Sequence, residues 1–167
     1  MIPVVIEVET WGQVGVSIRN QRLLMRTAHH SAANHWKKKM LKRHFQHRSA
    51  KRYGYAQRSG RYLAKKKALA RLGKVEMGGR VDLVYTGLLK RSMDANHRIT
   101  GGPSQATVQL VGPSYLKINY TPGRPHLANE LTTVVVDERE EIADVSAESY
   151  ADTLDQIRTR KRKKIRA

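Results

Sequence analysis

Histidine is the residue type of this sequence best suited to chemistry, because there are seven histidines and no cysteine. His44 and His47 stand three residues apart, a spacing that puts both side chains on one face of a helix. Catalytic zinc sites and related sites usually include a carboxylate, either as a ligand or as the group that orients a histidine. No Asp or Glu occurs between Glu9 and Glu76, and the cations of that segment would repel a divalent ion. The sequence therefore predicts no metal site and no cofactor.

Other enzyme classes leave motifs that are absent from this sequence. It contains neither a Gly-x-Ser-x-Gly nucleophile elbow nor a Gly-x-x-x-x-Gly-Lys-Ser/Thr phosphate loop. The lack of cysteine excludes a thiol nucleophile and disulfide bonds. No stretch reaches the roughly 18 apolar residues that a membrane-spanning helix requires. We therefore expect a protein with no catalytic residues and no membrane partner.

Positive charge dominates the first half of the chain. The sequence has 32 Lys and Arg against 14 Asp and Glu, a formal charge of +18, and 18 of the basic residues lie between Glu9 and Glu76. They are interleaved with Trp36, Tyr53, Tyr55 and Tyr62. Cations mixed with aromatic side chains are typical of surfaces that bind nucleic acid. The candidate contacts with DNA or with an acidic partner are Lys37, Lys38, Lys42, Arg43, Arg48, Lys51, Arg52, Arg58, Arg61, Lys65, Lys66 and Lys67.

Negative charge is concentrated near the other end. Eight acidic residues fall between Asp137 and Asp155 with one base, Arg139, among them, and seven bases follow in residues 158–167. A molecule that segregates its charges can associate head to tail with further copies as readily as it can bind nucleic acid. The candidate acidic face between subunits consists of Glu138, Glu141, Asp144, Glu148 and Asp152.

Hydrophobic periodicity predicts three helices that carry these charges. Apolar residues at four-residue steps from Leu24 to Met40 indicate a long amphipathic helix over about 20–45. A shorter basic helix is expected over about 59–72 and should end at Gly73 in a left-handed glycine cap. Residues 46–60 between them read as a polar loop. A third helix is expected over 138–158, with its acids early and its bases late, as the helix dipole favours.

Short β-branched runs predict a small sheet. Strands are expected over 4–8, 107–111 and 116–120, the last two forming a hairpin. Residues 14–18 are interpreted as a further short strand in preference to the entry to a helix, which the glycines at 12 and 15 disfavour. The predicted fold class is α+β, with a small antiparallel sheet, a long basic amphipathic helix packed on it and a C-terminal helix. We expect a single domain over 1–157 followed by a basic C-terminal tail, 158–167.

The order of these features resembles a protein family of tailed bacteriophages. A long helix ending in Lys42-Arg43-His44-Phe45 precedes a helix with the run Tyr62-Leu63-Ala64-Lys65-Lys66-Lys67, and then the segment Leu83-Val84-Tyr85-Thr86-Gly87-Leu88-Leu89-Lys90-Arg91-Ser92-Met93. In the virion-morphogenesis or tail-completion family, apolar residues followed by Thr-Gly-x-Leu stand between a basic helix and a β-hairpin. This sequence resembles that family over residues 4–120. The resemblance implies a structural turn in this segment, after which the side chains of Leu88 and Leu89 pack in the core. Its residues are Thr86, Gly87, Leu88, Arg91 and Ser92.

The resemblance implies a structural virion component at the head–tail junction, that is, a neck or tail-completion protein. Several copies would form a ring that joins the portal or adaptor to the tail terminator or tail tube. The acidic helix of one subunit would meet the basic helix of the next, and the remaining cations would face packaged DNA or an acidic partner. The implied location is the virion, and the host cytoplasm during assembly. The alternative that the same charges leave open is a basic nucleic-acid-binding protein without catalytic activity.

Overall fold

A computed structural model of the chain describes residues 2–6, 16–46, 48–74, 88–95, 97–112 and 126–165. These residues are mainly helical and include a three-stranded antiparallel sheet in the order β1-β3-β2. The predicted α+β class, with its small sheet, long helix and C-terminal helix, is confirmed. In chain order the elements are β1 (Ile2–Ile6), α1 (Ile18–His35), a π-helical turn (Trp36–Met40), α2 (Leu41–Arg43), α3 (Ser49–Tyr53), α4 (Gly60–Arg71), α5 (Leu88–Ala95), β2 (His97–Gly101), β3 (Ala106–Leu110), α6 (Leu127–Thr132) and α7 (Val136–Ile165).

The long helix predicted over about 20–45 is present as continuous helical backbone over 18–43. Leu24, Ala28 and Ala32, which repeat at four-residue steps, are all buried and form the apolar face that the periodicity predicted. The wider π-helical turn interrupts the regular winding between α1 and α2. The strand predicted over 14–18 is wrong at its end, because Ile18 is the first residue of α1. Residues 14 and 15 lie outside the described ranges.

Helix α4 has the boundaries that its sequence indicates. The Ser59 hydroxyl accepts a hydrogen bond from the Tyr62 amide at 3.3 Å and caps the N-terminus. At the other end Gly73 has a φ of 68°, its amide donates to the Ala70 carbonyl, and the Lys74 amide donates to the Leu69 carbonyl. This pair of bonds is a Schellman motif, which needs a left-handed residue where glycine stands. The predicted glycine cap is therefore confirmed.

Three short elements were not predicted, namely α3, β2 and α6. The segment 46–60, expected to be a loop, contains the single-turn helix α3. Strand β2 escapes prediction because its sequence, His-Arg-Ile-Thr-Gly, is polar and largely exposed, whereas β3 alternates buried and half-buried residues as a strand should. A turn joins the two strands, and in it the Gly102 amide donates to the Gln105 carbonyl at 2.7 Å. The strand predicted over 116–120 lies outside the described residues.

The chain forms two compact units. One, which we call the basic unit, consists of residues 1–3, 38–98 and 109–135. The other, the paired-helix unit, consists of residues 4–37, 99–108 and 136–167. Whether residues 1–157 behave as one domain stays a prediction. No helix within the described ranges is long and apolar enough to cross a membrane.

In the paired-helix unit, α1 packs along α7. Two polar contacts fix how the helices are aligned. The hydroxyls of Ser31 and Ser149 lie 2.8 Å apart, and His35 Nε2 lies 2.8 Å from Glu141 Oε1. Helix α7 is longer than predicted and continues to Ile165, so most of the segment expected as a separate basic tail is helical.

Candidate functional site

Nearly all of the net charge belongs to one unit. The basic unit contains 20 Lys and Arg against four Asp and Glu, a formal charge of +16. The paired-helix unit contains 12 basic and ten acidic residues, a formal charge of +2. A field of this sign attracts anionic groups, so the candidate site for an acidic partner lies in the basic unit.

The predicted cationic contacts differ in exposure. Lys37, which belongs to the paired-helix unit, and Arg43 are half-buried. Two others, Arg58 and Lys66, make contacts inside the basic unit. Eight are exposed and together form what we call the cationic surface: Lys38, Lys42, Arg48, Lys51, Arg52, Arg61, Lys65 and Lys67.

Arg58 is held in an internal ion pair with Glu130. Its Nη1 donates to Glu130 Oε1 at 3.0 Å and its Nη2 to Oε2 at 2.6 Å. The Ala56 amide donates to the same Oε1 at 3.0 Å, and both charged side chains are only 9% exposed. This two-pronged arrangement fixes α6 against the segment before α4. The expectation that Arg58 contacts a partner is corrected, because its guanidinium is already ion-paired with Glu130.

Lys66 is likewise not a surface residue, since it is 2% exposed. Its Nζ lies 5.9 Å from the centroid of the Tyr62 ring, one helical turn earlier, in a cation–π contact. The pattern of three consecutive lysines therefore places Lys65 and Lys67 at the surface and Lys66 inside.

Two of the four aromatic residues that accompany the cations are core residues, whereas Tyr55 and Tyr62 are half-buried. Trp36 and Tyr53 are buried. The Tyr53 ring stacks on His44 with ring centroids 3.8 Å apart, and a hydrogen bond of 2.5 Å joins His44 Nδ1 to the Tyr55 hydroxyl. The interpretation of Trp36 and Tyr53 as platforms for stacked bases is corrected, because a buried ring offers no free face.

His44 is kept neutral by its surroundings. The pKa of His44 is lowered to about 4, mainly by burial; the Thr133 backbone opposes this shift and the nearby Arg52 charge contributes to it. His47, its partner in the spacing that suggested chemistry, lies outside the described residues. Within the described ranges no three His, Asp or Glu side chains are grouped as metal ligands would be.

Three of the predicted cationic contacts meet at one place in the basic unit. A cleft of about 330 Å³ is lined by Arg43, Gln46, Arg48, Ser49 and Arg52, and we call it the arginine cleft. These residues span the turn between α2 and α3, where Arg48 has a left-handed backbone with a φ of 69°. No sequence pattern singles out this group from the other basic residues, because the turn that gathers it is set by that one unusual backbone conformation.

The predicted acidic face is only partly a surface. Glu138 is corrected to a buried position, and Glu141 is half-buried with its carboxylate already in contact with His35. Asp144, Glu148 and Asp152 are exposed, as predicted. Spacings of three and four residues put further exposed acids on the same side of α7. This acidic stripe consists of Asp137, Glu140, Asp144, Glu148, Asp152 and Asp155.

The turn implied by the phage resemblance is described in part. Thr86 and Gly87 lie outside the described residues. Leu89 is buried at the start of α5, as expected, but Leu88 is 49% exposed and does not return to the core. Arg91 is exposed, and the Ser92 hydroxyl donates to the Val111 carbonyl at 3.0 Å.

The described residues therefore present two oppositely charged surfaces, one in each unit. The basic unit carries the cationic surface with the arginine cleft, and the paired-helix unit carries the acidic stripe. Their available chemistry is the recognition of groups of opposite charge. No protein-family model matches the chain, and neither a curated protein nor a solved structure matches it.

Proposed function

We propose that this chain is a structural component of the head–tail junction of a tailed bacteriophage, a neck or tail-completion protein that assembles as a ring of identical copies. The order of its sequence motifs, which resembles that family, supports the place in the virion. The observation that carries the proposal is the presence of two complementary charged surfaces on separate units of one chain.

The acidic stripe is suited to an interface. It extends over about 27 Å of α7 at a rise of about 1.5 Å per residue. Like charges three or four residues apart on a helix repel one another, and a cationic partner removes that cost. Arg139, the one base among these acids, is exposed on a different side of the helix.

A second copy of the chain offers the matching surface. Binding the acidic stripe of one copy to the cationic surface of the next uses two different patches, which is a head-to-tail contact. Such contacts close into a ring when the rotation between neighbours allows it. Cations left outside the interface face packaged DNA, the portal or adaptor, or the tail proteins.

Assembly is tested by neutralising the middle of the stripe. The triple variant Asp144→Asn, Glu148→Gln, Asp152→Asn keeps side-chain shape and raises the net charge by three. A matched control, Gln21→Lys, Gln57→Lys, Gln105→Lys, makes the same change in charge at exposed positions off α7. Native mass spectrometry at low salt should give one defined oligomer for the parent and control proteins, and a shift to monomer for the triple variant.

Two outcomes oppose the assembly proposal. One is a parent protein that stays monomeric at every concentration, alone and with portal or adaptor protein. The other is an oligomer that the control disrupts as much as the stripe variant does, since this means that the total charge rather than the stripe is responsible.

Placement in the virion is tested in the genome that encodes the chain. A stop codon early in this reading frame should yield DNA-filled heads and separate tails in electron micrographs, with complementation restoring joined particles. Normal joined particles in the mutant would contradict a role at the junction.

A further inference from the structure

We propose that the arginine cleft is a binding site for a phosphate group. The source of the phosphate is either the phosphodiester backbone of duplex DNA or free inorganic phosphate or pyrophosphate. This inference does not depend on the proposed ring, because it concerns one cleft within the basic unit of a single copy.

The donors around the cleft fit phosphate better than carboxylate. Three arginines, Arg43, Arg48 and Arg52, line one cleft of about 330 Å³. A carboxylate has two oxygens and is satisfied by one arginine in a two-pronged pair. A phosphate group has three or four oxygens around one centre and can accept from several guanidinium groups together.

The electrostatic surroundings also favour a bound anion. Among the described residues, none that lines the cleft is acidic. Glu130, one of the four acids in the basic unit, is engaged by Arg58 and the Ala56 amide. The residues that line the cleft therefore carry positive charge and no negative charge.

Ser49 supplies a second observation that points to a ligand. It lines the cleft and is 2% exposed, and its Oγ makes no hydrogen bond with any residue that the structure describes. A buried hydroxyl without a partner is costly, and hydrogen bonding to a phosphate oxygen removes that cost.

Two of the arginines are partly oriented before any ligand binds. The Arg52 guanidinium lies 5.8 Å from the centroid of the Tyr53 ring. Arg48 holds a left-handed backbone, which is costly for a residue with a β-carbon and restricts the conformations open to this residue. Groups that are already placed lose less conformational entropy on binding.

The test compares two double variants that lose the same charge. Arg48→Asn, Arg52→Gln removes two guanidinium groups from the cleft, and asparagine tolerates the left-handed backbone at position 48. Arg71→Gln, Lys74→Gln removes two exposed cations of the basic unit that neither line the cleft nor belong to the cationic surface. Fluorescence anisotropy with a labelled DNA duplex across a salt series measures affinity, and thermal unfolding with added phosphate or pyrophosphate measures binding of the free anions.

The cleft variant should bind duplex at least about 10-fold more weakly than the parent, and the slope of log affinity against log salt should fall by about 2, as expected for two lost phosphate contacts. The control should lose less than about 3-fold in affinity. If phosphate or pyrophosphate raises the unfolding temperature of the parent but not of the cleft variant, while duplex affinity is equal in all three proteins, the site is confirmed with free phosphate as its source.

Equal losses of duplex affinity in the two double variants, with no effect of phosphate on unfolding, would overturn the proposal in favour of diffuse charge attraction. Polyglutamate that competes for the cleft as strongly as duplex DNA or phosphate does would also overturn the proposal, because the cleft would then recognise carboxylates. If the double variant does not fold, Arg48→Asn alone, at an exposed position, gives the same comparison against Lys74→Gln.

Discussion

Acidification should destabilise the basic unit through a single histidine. His44 is buried beneath the Tyr53 ring and hydrogen-bonded to Tyr55, and burial lowers its pKa from 6.5 to about 4. The charged groups and dipoles around it are Arg52, which lowers the pKa, and the Thr133 backbone, which raises it. Between these two pKa values the unfolded chain binds a proton that the folded chain does not. The stabilising contribution is therefore complete above about pH 6.5 and is lost as the pH falls towards 4.

The size of the effect follows from the two pKa values. The free energy of unfolding should fall by up to about 1.4 kcal/mol for each pH unit across the window. Between about pH 7.5 and about pH 5 the expected loss from this residue is about 2 kcal/mol. Most carboxylates remain ionised at the lower of these values, so their contribution over the same interval is small.

Urea unfolding followed by circular dichroism at the two pH values measures the loss. The variant His44→Phe keeps a ring to stack on Tyr53 but cannot titrate, so its stability should depend on pH by about 2 kcal/mol less than that of the parent. His97→Gln, at an exposed strand position, should retain the full dependence of the parent. A His44→Phe variant whose stability falls with pH as steeply as that of the parent would refute the assignment of the effect to His44.

Two further substitutions test contacts that only the folded chain makes. Glu130→Gln leaves the buried Arg58 guanidinium without its ion pair and should lower the free energy of unfolding, measured in urea, by about 3 kcal/mol. The control Glu140→Gln, on the exposed acidic stripe, should change it by less than about 0.5 kcal/mol. Equal effects of the two substitutions would show that the buried ion pair adds nothing to stability. Gly101→Ala places a β-carbon 3.1 Å from His30 Cβ and 3.2 Å from the Arg26 carbonyl, so it should lower the free energy of unfolding by about 1–3 kcal/mol. The control Gly60→Ala, with nothing within 4 Å of the new β-carbon, should be neutral or slightly stabilising. If Gly101→Ala is as harmless as the control, α1 moves freely away from β2.

Elements with local signals were predictable from the sequence. The apolar residues at four-residue steps predicted a long helix over about 20–45, which is present over 18–43, and Gly73 marked the C-terminal end of α4. These signals act between residues within one or two helical turns, so they can be read without knowledge of the fold. Strand β2 and helix α3 carry no such pattern and were missed. A polar strand is stabilised by its neighbour in the sheet, which the local sequence does not reveal.

The sequence by itself determined that the chain is strongly basic, that its acids are concentrated in one helix and that its long segments are helical. Only the tertiary structure decided which charges are available to a partner. Arg58 is engaged by Glu130, 72 residues away, Lys66 is buried, and Glu138 faces inward while its neighbours on α7 are exposed. The physical reason is that the free energy of a charge depends on its solvation and on the groups around it. Residues distant in sequence supply those groups, and folding alone brings them together.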